Sequence, residues 1–220
     1  QIKALVGSGD YFNPQISGQI NGTLAKRSYG STLKPFIYGL AFDQGLAHPK
    51  TILKDLPTNF ADYQPENYEG NFLGPVSVTQ ALLQSRNIPA VEMAQRLKYP
   101  DLYDLLKQAG IVLPKEKAHY GLSLVLGGAE LSMQQLAGLY AALANEGKWQ
   151  PLQSLKDASS EQSVLLLSPE SSYMLGDILS QNIRTDIYNK AIKTKLPIYW
   201  KTGTSNGLRD AWTAGYFGNY

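Results

Sequence analysis

The chain has 220 residues, of which 43% are hydrophobic and 17% are charged, a composition that can fill a packed core and excludes an intrinsically disordered chain. The formal net charge of +2 is too small to indicate a nucleic acid or an anionic membrane surface as a partner. The absence of cysteine excludes disulfides, thiolate metal ligands and a thiol nucleophile. His48 and His119 are far apart and lack a partner four residues away, so we expect no metal site and no other cofactor.

The N-terminal part of the chain predicts one strand and one helix. Residues 2–7 open on an apolar alternation typical of a strand, and a turn follows at 7–10. Residues 30–42 carry apolar residues at helical spacing, with Ser31 as the expected first residue of the helix and Gly45 just past its end.

The middle of the chain predicts a long irregular connection and then several helices. Residues 46–74 are rich in Pro, Asn, Tyr and Gly and show little periodicity, which is typical of connections used for binding. Helical patterns follow at 76–84, 90–97, 101–109, 131–145 and 168–181. The first two of these helices are separated by a break at residues 85–87.

The C-terminal part predicts an antiparallel hairpin. Residues 196–204 and 211–220 have strand character and flank a turn at Asn206 and Gly207. Because strands gather at both ends of the chain while helices fill the middle, we expect the two ends to meet in one sheet covered by helices.

Ser31 and Lys34 form the first candidate motif. If Ser31 begins a helix, Lys34 lies one turn later on the same face, within reach of the serine oxygen. A lysine in a dry site near another cation can be neutral enough to take the proton of a serine hydroxyl. Taken alone, the same pair fits a helix cap followed by a solvated lysine, and that reading would then be preferred.

Two further motifs occur later in the chain. Ser85 and Asn87 lie in the break between two helices, where a hydroxyl and an amide can relay a proton and hold a peptide carbonyl. Residues 201–204 place a lysine, a glycine and two hydroxyls on a strand, a combination that can bind a carboxylate. Alone, the first would be interpreted as a plain turn, and the second also fits a capped, solvated strand end.

The order of the three motifs favours the functional interpretation. Ser-x-x-Lys after an N-terminal strand, Ser-x-Asn between helices and Lys-Thr-Gly on a late strand are together typical of penicillin-recognising serine enzymes. The sequence resembles the transpeptidase domain of class A penicillin-binding proteins, most of all the 1C type. The likeness spans nearly the whole chain and is carried by residues 27–40, 80–91, 120–130, 201–205 and 209–212.

This resemblance implies an α/β (α+β) fold of the kind shared by penicillin-binding proteins and serine β-lactamases. That fold has an antiparallel sheet of about five strands flanked by helices, plus an all-helical lobe. The resemblance places the whole chain, 1–220, in one transpeptidase domain. Its sheet portion would comprise 1–30 and 150–220, and its helical lobe about 46–147.

The resemblance also implies catalytic roles. Ser31 would be the nucleophile that becomes acylated, and Lys34 would be the base that accepts its proton. Ser85 would pass a proton to the leaving D-alanine, and Lys201 would complete this network. The implied activity is D-Ala-D-Ala transpeptidation, which makes the chain an acyltransferase.

The remaining implied residues bind substrate. Asn87 would hold the side-chain amide of the substrate, while Thr202 and Thr204 would bind the terminal carboxylate on a strand that Gly203 opens to the ligand. The backbone N–H groups of Ser31 and Thr204 would form the oxyanion hole. Expected partners are peptidoglycan stem peptides, as donor and as amine acceptor, and β-lactam antibiotics, but not nucleic acid. The implied location is the periplasmic face of the inner membrane, with the anchor in a parent protein.

Two differences from the family bear on the extent of the chain. The glycan-polymerising domain of the family does not precede this one, and the family's domain continues past Tyr220 with another strand and a closing helix. We therefore expect a piece of a longer protein that is incomplete at its C-terminus, with the hairpin edge unpaired unless something else covers it.

Other function classes stay open from the sequence. A serine β-lactamase would share the acylation chemistry but would need a group that activates water, and a penicillin sensor would bind without turnover. The chain has Ser-x-Asn where class D β-lactamases and the related sensors usually have Ser-x-Val. This difference argues against the class D type among the β-lactamases and against the related type among the sensors. A Ser-His-Asp hydrolase would need a Gly-x-Ser-x-Gly elbow at a strand-to-helix turn. Residues 203–207 have this spacing, but they lead into residues 211–220, which have strand character, and not into a helix.

Overall fold

The computed structural model describes residues 2–60, 63–153, 163–182, 197–218 and 220. Its α-helices are α1 (Lys34–Asp43), α2 (Val78–Leu83), α3 (Asn87–Arg96), α4 (Leu102–Gln108), α5 (Lys117–Tyr120), α6 (Met133–Ala144) and α7 (Pro169–Ser180). Its strands are β1 (Arg27–Ser28), β2 (Ile52–Asp55), β3 (Gly74–Ser77), β4 (Glu130–Leu131), β5 (Lys148–Trp149), β6 (Val164–Leu165), β7 (Tyr199–Thr204) and β8 (Ala211–Tyr216). Within these residues, no helix has the length and apolar character needed to cross a bilayer.

Helix α1 lies at the centre of the molecule. Its residues from Lys34 to Phe42 are all buried. A helix that is apolar on almost every side belongs inside a core. Pro35 occupies the first turn, where its missing N–H costs no hydrogen bond. α1 packs against α7 and α3, so the start of α1 has a fixed position within the core.

The strands pair two by two and always antiparallel. The pairs are β1 with β4, β2 with β3, β5 with β6, and β7 with β8. The mixture of helices and antiparallel strands confirms the coarse fold class, but no sheet of more than two strands occurs in the described ranges, so the expected sheet of about five strands is not confirmed.

The strand predicted at residues 2–7 was wrong. These residues form no strand, and Leu5 and Val6 are 46% and 78% exposed. A backbone hydrogen bond, from the N–H of Ile2 to the carbonyl of Gln153, links this segment to the residues after β5. Alternation alone does not supply a partner strand or a core face, and the expected sheet joining both ends of the chain is not found among the described residues.

The helices of the middle region were predicted with shifted boundaries. The pattern at 76–84 divides into β3 and α2, because Ser77 and Gln80 form a capping box that starts the helix at Val78. The next helix begins at Asn87, with Pro89 in its first turn, and not behind that proline. Strand β2, inside the connection predicted to be irregular, was missed.

The remaining predicted elements agree closely with the structure. Helices α4, α6 and α7 all lie within the predicted ranges. The N-terminus of each is capped by a side chain, that of Asp101, Ser132 or Ser168 in turn. The predicted hairpin is formed by β7 and β8, whose register pairs Thr204 with Ala211. Leu196, its predicted first residue, lies outside the described residues. The division into a sheet portion and a helical lobe stays a prediction.

Candidate active site

Ser31 and Lys34 lie at the junction of a short 3-10 turn and α1. The turn comprises Gly30–Leu33, and α1 begins at Lys34, so the helix starts three residues later than the sequence predicted. In 3-10 geometry, residues three apart lie directly above one another, which puts Ser31 and Lys34 on one face as expected. Ser31 is partly buried and lines a cleft of about 1150 Å³, whereas Lys34 is 0% exposed behind it.

The amine of Lys34 faces two oxygen atoms. Its Nζ donates to the carbonyl oxygen of Ser85 at 2.6 Å and to Oδ1 of Asn87 at 2.5 Å. The pKa of Lys34 lies well below that of an ordinary lysine, because burial disfavours the charged form and the positive charges of Lys201 and Arg86 add to that effect. Asp55 acts in the opposite direction. The surroundings of Lys34 therefore favour a neutral amine.

Ser85 connects Lys34 to a second lysine. It lies in the break between α2 and α3 with a φ of 56°, a left-handed conformation that costs free energy for a residue with a side chain. In this conformation its carbonyl faces Lys34 while its Oγ accepts from Nζ of Lys201 at 2.8 Å. Burial lowers the pKa of Lys201 to about 8, and the same amine donates to the carbonyl of Thr202 at 2.9 Å.

Strand β7 forms one wall of the cleft. Lys201 and Gly203 are buried, and Thr202 and Thr204 are exposed and line the cleft, as the two-residue period of a strand requires. Gly203 lies against the turn that carries Ser31, where an added Cβ would collide with the carbonyl of Tyr29 and approach the N–H of Thr32 to 2.9 Å. The glycine thus lets the strand and the turn meet.

The comparison with protein families agrees with this geometry. A family model described as the penicillin binding protein transpeptidase domain matches residues 1–218. The chain belongs to the penicillin-binding protein transpeptidase family. This confirms the resemblance drawn from the three motifs.

Curated penicillin-binding proteins are similar to this transpeptidase domain along all or nearly all of its length. It is 35% identical to penicillin-binding protein 1C of Escherichia coli (strain K12) over 222 residues, which cover 100% of this chain and 28% of that protein. It is 31% identical to penicillin-binding protein 1F of Bacillus subtilis (strain 168), covering 98% and 32%, and 26% identical to penicillin-binding protein 1A of Neisseria flavescens, covering 98% and 29%. The chain thus spans about three tenths of the length of these relatives.

All the site residues predicted from the sequence come together in the transpeptidase domain. Six of them line the cleft, and the two lysines lie buried directly behind it. The cleft-lining residues are Ser31, Ser85, Asn87, Thr202, Gly203 and Thr204. Their roles in a reaction stay predictions, since a shared cleft does not by itself assign them.

The opposite wall of the cleft was not predicted residue by residue. It is formed by residues 63–69, part of the connection that the sequence marked as a binding segment. Asn87 contacts this wall twice, because its Nδ2 donates to the carbonyl of Glu66 at 2.6 Å and its backbone N–H donates to Oδ1 of Asn67 at 2.8 Å. Composition identified the segment, but nothing in its spacing singled out Glu66 or Asn67.

A third wall comes from residues 123–130. Gly127 and Gly128 line the cleft, and the carbonyl of Gly127 accepts from Oγ of Ser28 at 2.8 Å. The carbonyl of Ser28 in turn accepts from Nε1 of Trp212 at 3.0 Å. The quoted family likeness at residues 120–130 therefore coincides with a wall of the site. In the described ranges, no three His, Cys, Asp or Glu residues group as metal ligands.

Proposed function

We propose that this domain cross-links peptidoglycan stem peptides through an acyl-enzyme on Ser31 and that β-lactams acylate the same serine. The observation that carries the proposal is the buried amine of Lys34, held by two acceptor oxygens one 3-10 turn from a cleft-lining hydroxyl. Within the described part of the chain, the Oγ of Ser31 makes no hydrogen bond to another group. It is thus available to a ligand in the cleft.

Lys34 is the general base of the proposed acylation. A neutral amine has two N–H groups and one lone pair. The two N–H groups are used by the carbonyl of Ser85 and by Oδ1 of Asn87, so the lone pair is left for the proton of Ser31. The lowered pKa of Lys34 keeps the amine in this form at a pH where an ordinary lysine is charged.

The proton balance of the reaction runs through Ser85. Oγ of Ser31 attacks the carbonyl carbon of the penultimate D-alanine, and its proton goes to Lys34. The peptide C–N bond then breaks, and the proton held by Lys34 passes by way of Ser85, which contacts Lys201, to the nitrogen of the leaving D-alanine, so that Lys34 and Ser85 regain their starting forms. An acceptor amine next attacks the ester and returns a proton to Ser31, so no oxidant or cofactor is consumed.

The cleft walls supply the proposed binding groups. Thr202 and Thr204 offer hydroxyls for the terminal carboxylate, and the backbone N–H groups of Ser31 and Thr204 form the oxyanion hole. Asn87 has one Nδ2 hydrogen left after its bond to Glu66, and this hydrogen holds the carbonyl of the substrate's side-chain amide. The role of Gly203 is to bring β7 against Ser31.

The proposed setting follows from the substrate. Peptidoglycan lies outside the cytoplasmic membrane, so the domain acts at the periplasmic face of that membrane, held there by an anchor in its parent protein. The bacterial relatives bear the names of penicillin-binding proteins, which supports β-lactams as ligands of this domain.

The direct test is transfer of an acyl group to an amine. The protein is incubated with an acyl-D-Ala-D-Ala peptide and a D-amino acid acceptor, and products are identified by mass spectrometry. We expect the acceptor amide with release of D-alanine from the parent and from Ser180→Ala, and no product from Ser31→Ala. Hydrolysed donor with no amide product would instead indicate a hydrolase, and no turnover would indicate a binding domain.

A further inference from the structure

A buried polar cluster lies behind residues 85–87 and takes no part in the proposed proton path. Its members are Asp55 at the end of β2, which is 0% exposed, and Arg86 and Asn67, which are each 4% exposed. Nε of Arg86 and Oδ2 of Asp55 form an ion pair at 2.8 Å. Such a buried pair gives little net stability compared with apolar side chains of the same size, so its presence beside the site needs another reason.

Asp55 dictates how the amide of Asn67 is oriented. An ionised carboxylate only accepts hydrogen bonds, and Asp55 accepts from Arg86, from the backbone N–H of Leu73 at 3.0 Å and from Nδ2 of Asn67 at 2.7 Å. With its Nδ2 turned to Asp55, Asn67 must present Oδ1 on its other side. There it accepts the backbone N–H of Asn87 at 2.8 Å.

The backbone beside Asn67 sets the orientation of the side-chain amide of Asn87. The carbonyl of Glu66, next to Asn67, takes Nδ2 of Asn87, and a carbonyl can only accept. Oδ1 of Asn87 is therefore the atom turned to Lys34. If this amide were reversed, its N–H groups would face the amine and compete with the proton that Lys34 has to accept.

Arg86 closes the cluster from the other side. Its Nη2 donates to the carbonyl oxygen of Asn71 and, at 3.0 Å, to Oδ1 of the same residue. The carbonyl of Asn71 also accepts from Nδ2 of Asn67 at 3.0 Å. The segment 66–71, which includes part of the cleft wall, is thus tied to the segment that carries Ser85 and Asn87 by one set of hydrogen bonds.

We propose that Asp55 is a positioning residue of the active site. By holding Asn67 it places the backbone of Asn87 and the adjacent carbonyl of Glu66, which together turn Oδ1 of Asn87 to Lys34, while its ion pair with Arg86 holds the segment 66–71 in place. The inference rests on the proposed role of Lys34 as the base. Asp55 touches no reacting atom and acts only through its neighbours.

Replacing Asp55 by Asn should misalign this chain of hydrogen bonds. Asn at this position would have one acceptor oxygen in place of two, so it loses either its contact with Asn67 or its contacts with Arg86 and Leu73. We expect Asp55→Asn to slow acylation by benzylpenicillin about tenfold or more. Asp101→Asn is the matched control, since Asn also serves as a helix N-cap, and it should acylate like the parent.

The pH dependence separates positioning from general damage. The charged groups that act on Lys34 are Lys201 on β7, Arg86 before α3 and Asp55 on β2. Loss of the Asp55 charge lowers the pKa of Lys34 further, so the acid limb of the acylation rate moves to lower pH. Loss of the Arg86 charge in Arg86→Gln raises that pKa, so the limb moves to higher pH.

Two outcomes would overturn the inference: an acylation rate of Asp55→Asn equal to that of the parent, or limbs that move the same way in both variants. If circular dichroism shows that Asp55→Asn does not fold, Asn67→Ala carries the test, since it removes the relay and keeps both charges. A parent-like rate in that variant would then refute the positioning role.

A second readout keeps this inference distinct from the proposed function. The titration of Lys34 is followed by NMR of protein labelled with [13Cε]lysine, with Lys34→Met assigning the signal. A changed pKa of Lys34 in Asn67→Ala, which keeps both charges, supports the inference even if the parent is not acylated at all. An unchanged pKa in that variant, in a parent that is acylated on Ser31, leaves the proposed function standing and refutes the inference.

Discussion

At the scale of single residues, the site depends on two lysines held out of water. Lys34 and Lys201 are 0% and 3% exposed, and both have a lowered pKa because burial disfavours the ammonium form. Ser85 connects the two lysines, because its carbonyl oxygen accepts a hydrogen bond from Lys34 and its Oγ accepts one from Lys201. The lowered pKa values favour proton transfer at neutral pH. The burial of two amines that causes them should also lower the stability of the fold.

Removal of the base should slow acylation far more than it weakens binding. We expect Lys34→Met, which nearly keeps the volume of the side chain, to slow acylation by benzylpenicillin about a hundred- to ten-thousand-fold, while Lys148→Met on the surface has no effect. The parent rate should fall as the pH drops through the lowered pKa of Lys34, since the protonated amine cannot accept a proton. Stopped-flow acylation measured from about pH 5 to 9 tests both points, and a flat profile would contradict a lysine base.

Lys201 should make the stability of the fold depend on pH. Below about pH 8 the amine is charged in the folded and in the unfolded chain, so the folded state bears the cost of burying it. Between about pH 8 and the ordinary value of 10.5, the folded state has lost the proton and the unfolded state still binds it. The pKa difference of Lys201 therefore makes the free energy of unfolding rise with pH in this window, by roughly 3 kcal/mol at most.

The variant Lys201→Met isolates this contribution. Urea unfolding of parent and variant at several pH values should show the rise in the parent to be larger than in the variant between about pH 8 and 10.5. Identical slopes in the two proteins would mean that the folded chain leaves Lys201 with an ordinary pKa.

The key residues were predicted because their order along the chain is itself a signal. The motifs that contain Ser31, Lys34, Ser85, Asn87 and Lys201 were each weak alone and specific together. The structure places the two serines and Asn87 in one cleft, with the two lysines buried behind it. Other members of the site were not accessible in this way. Asp55 and Asn67 have no distinctive spacing, and they meet only because β2 pairs with β3 and the connecting segment folds back.

At the scale of elements, the contact between the 3-10 turn and β7 sets the distance between Ser31, the proposed nucleophile, and the strand proposed to bind the carboxylate. Gly203 has no room for a Cβ beside Tyr29 and Thr32. Gly30, in the same turn, has a φ of 53° and lies against the backbone of Thr204. Two glycines thus allow close backbone contact where a larger residue would separate the strand from the turn.

Gly203→Ala should push β7 away from Ser31. We expect a lower melting temperature, by several degrees for a loss of about 1 to 3 kcal/mol, and acylation by penicillin slowed about tenfold or more because the oxyanion donors separate. Gly9→Ala is the control, since nothing lies within 4 Å of a Cβ at that glycine. Differential scanning fluorimetry and penicillin labelling test this, and an unchanged acylation rate in Gly203→Ala would refute the role of the close contact.

Helices were easier to predict than strands because their signals are local. Asp101 and Ser168 cap α4 and α7 from within the same turn, so sequence spacing is enough. Strand β2 depends on β3, about twenty residues later in the chain, and no local pattern shows that pairing. Residues 2–7 have the alternation of a strand, but they form no strand and leave Leu5 and Val6 largely exposed, so the alternation has no core face to fill.

At the scale of the whole molecule, the lifetime of the proposed acyl-enzyme distinguishes a target of penicillin from an enzyme that destroys it. A class A β-lactamase carries a Glu-x-x-x-Asn pattern for the deacylating water, and no glutamate between Asn87 and Lys201 has Asn four residues later. Lys34 is poorly suited to activate that water, because the antibiotic crowds the acyl carbonyl and keeps its ring nitrogen tethered nearby. We therefore expect fast entry into the acyl-enzyme and slow release from it.

The mass of the intact protein after reaction with benzylpenicillin tests the account most directly. We predict that the full mass of the antibiotic is added once per chain and that peptide mapping places it on Ser31. Ser31→Ala should remain folded and unlabelled, and the adduct on the parent should persist after free antibiotic is removed. An adduct on Ser85, an adduct that survives in Ser31→Ala, or loss of the adduct within seconds with matching hydrolysed product would contradict it.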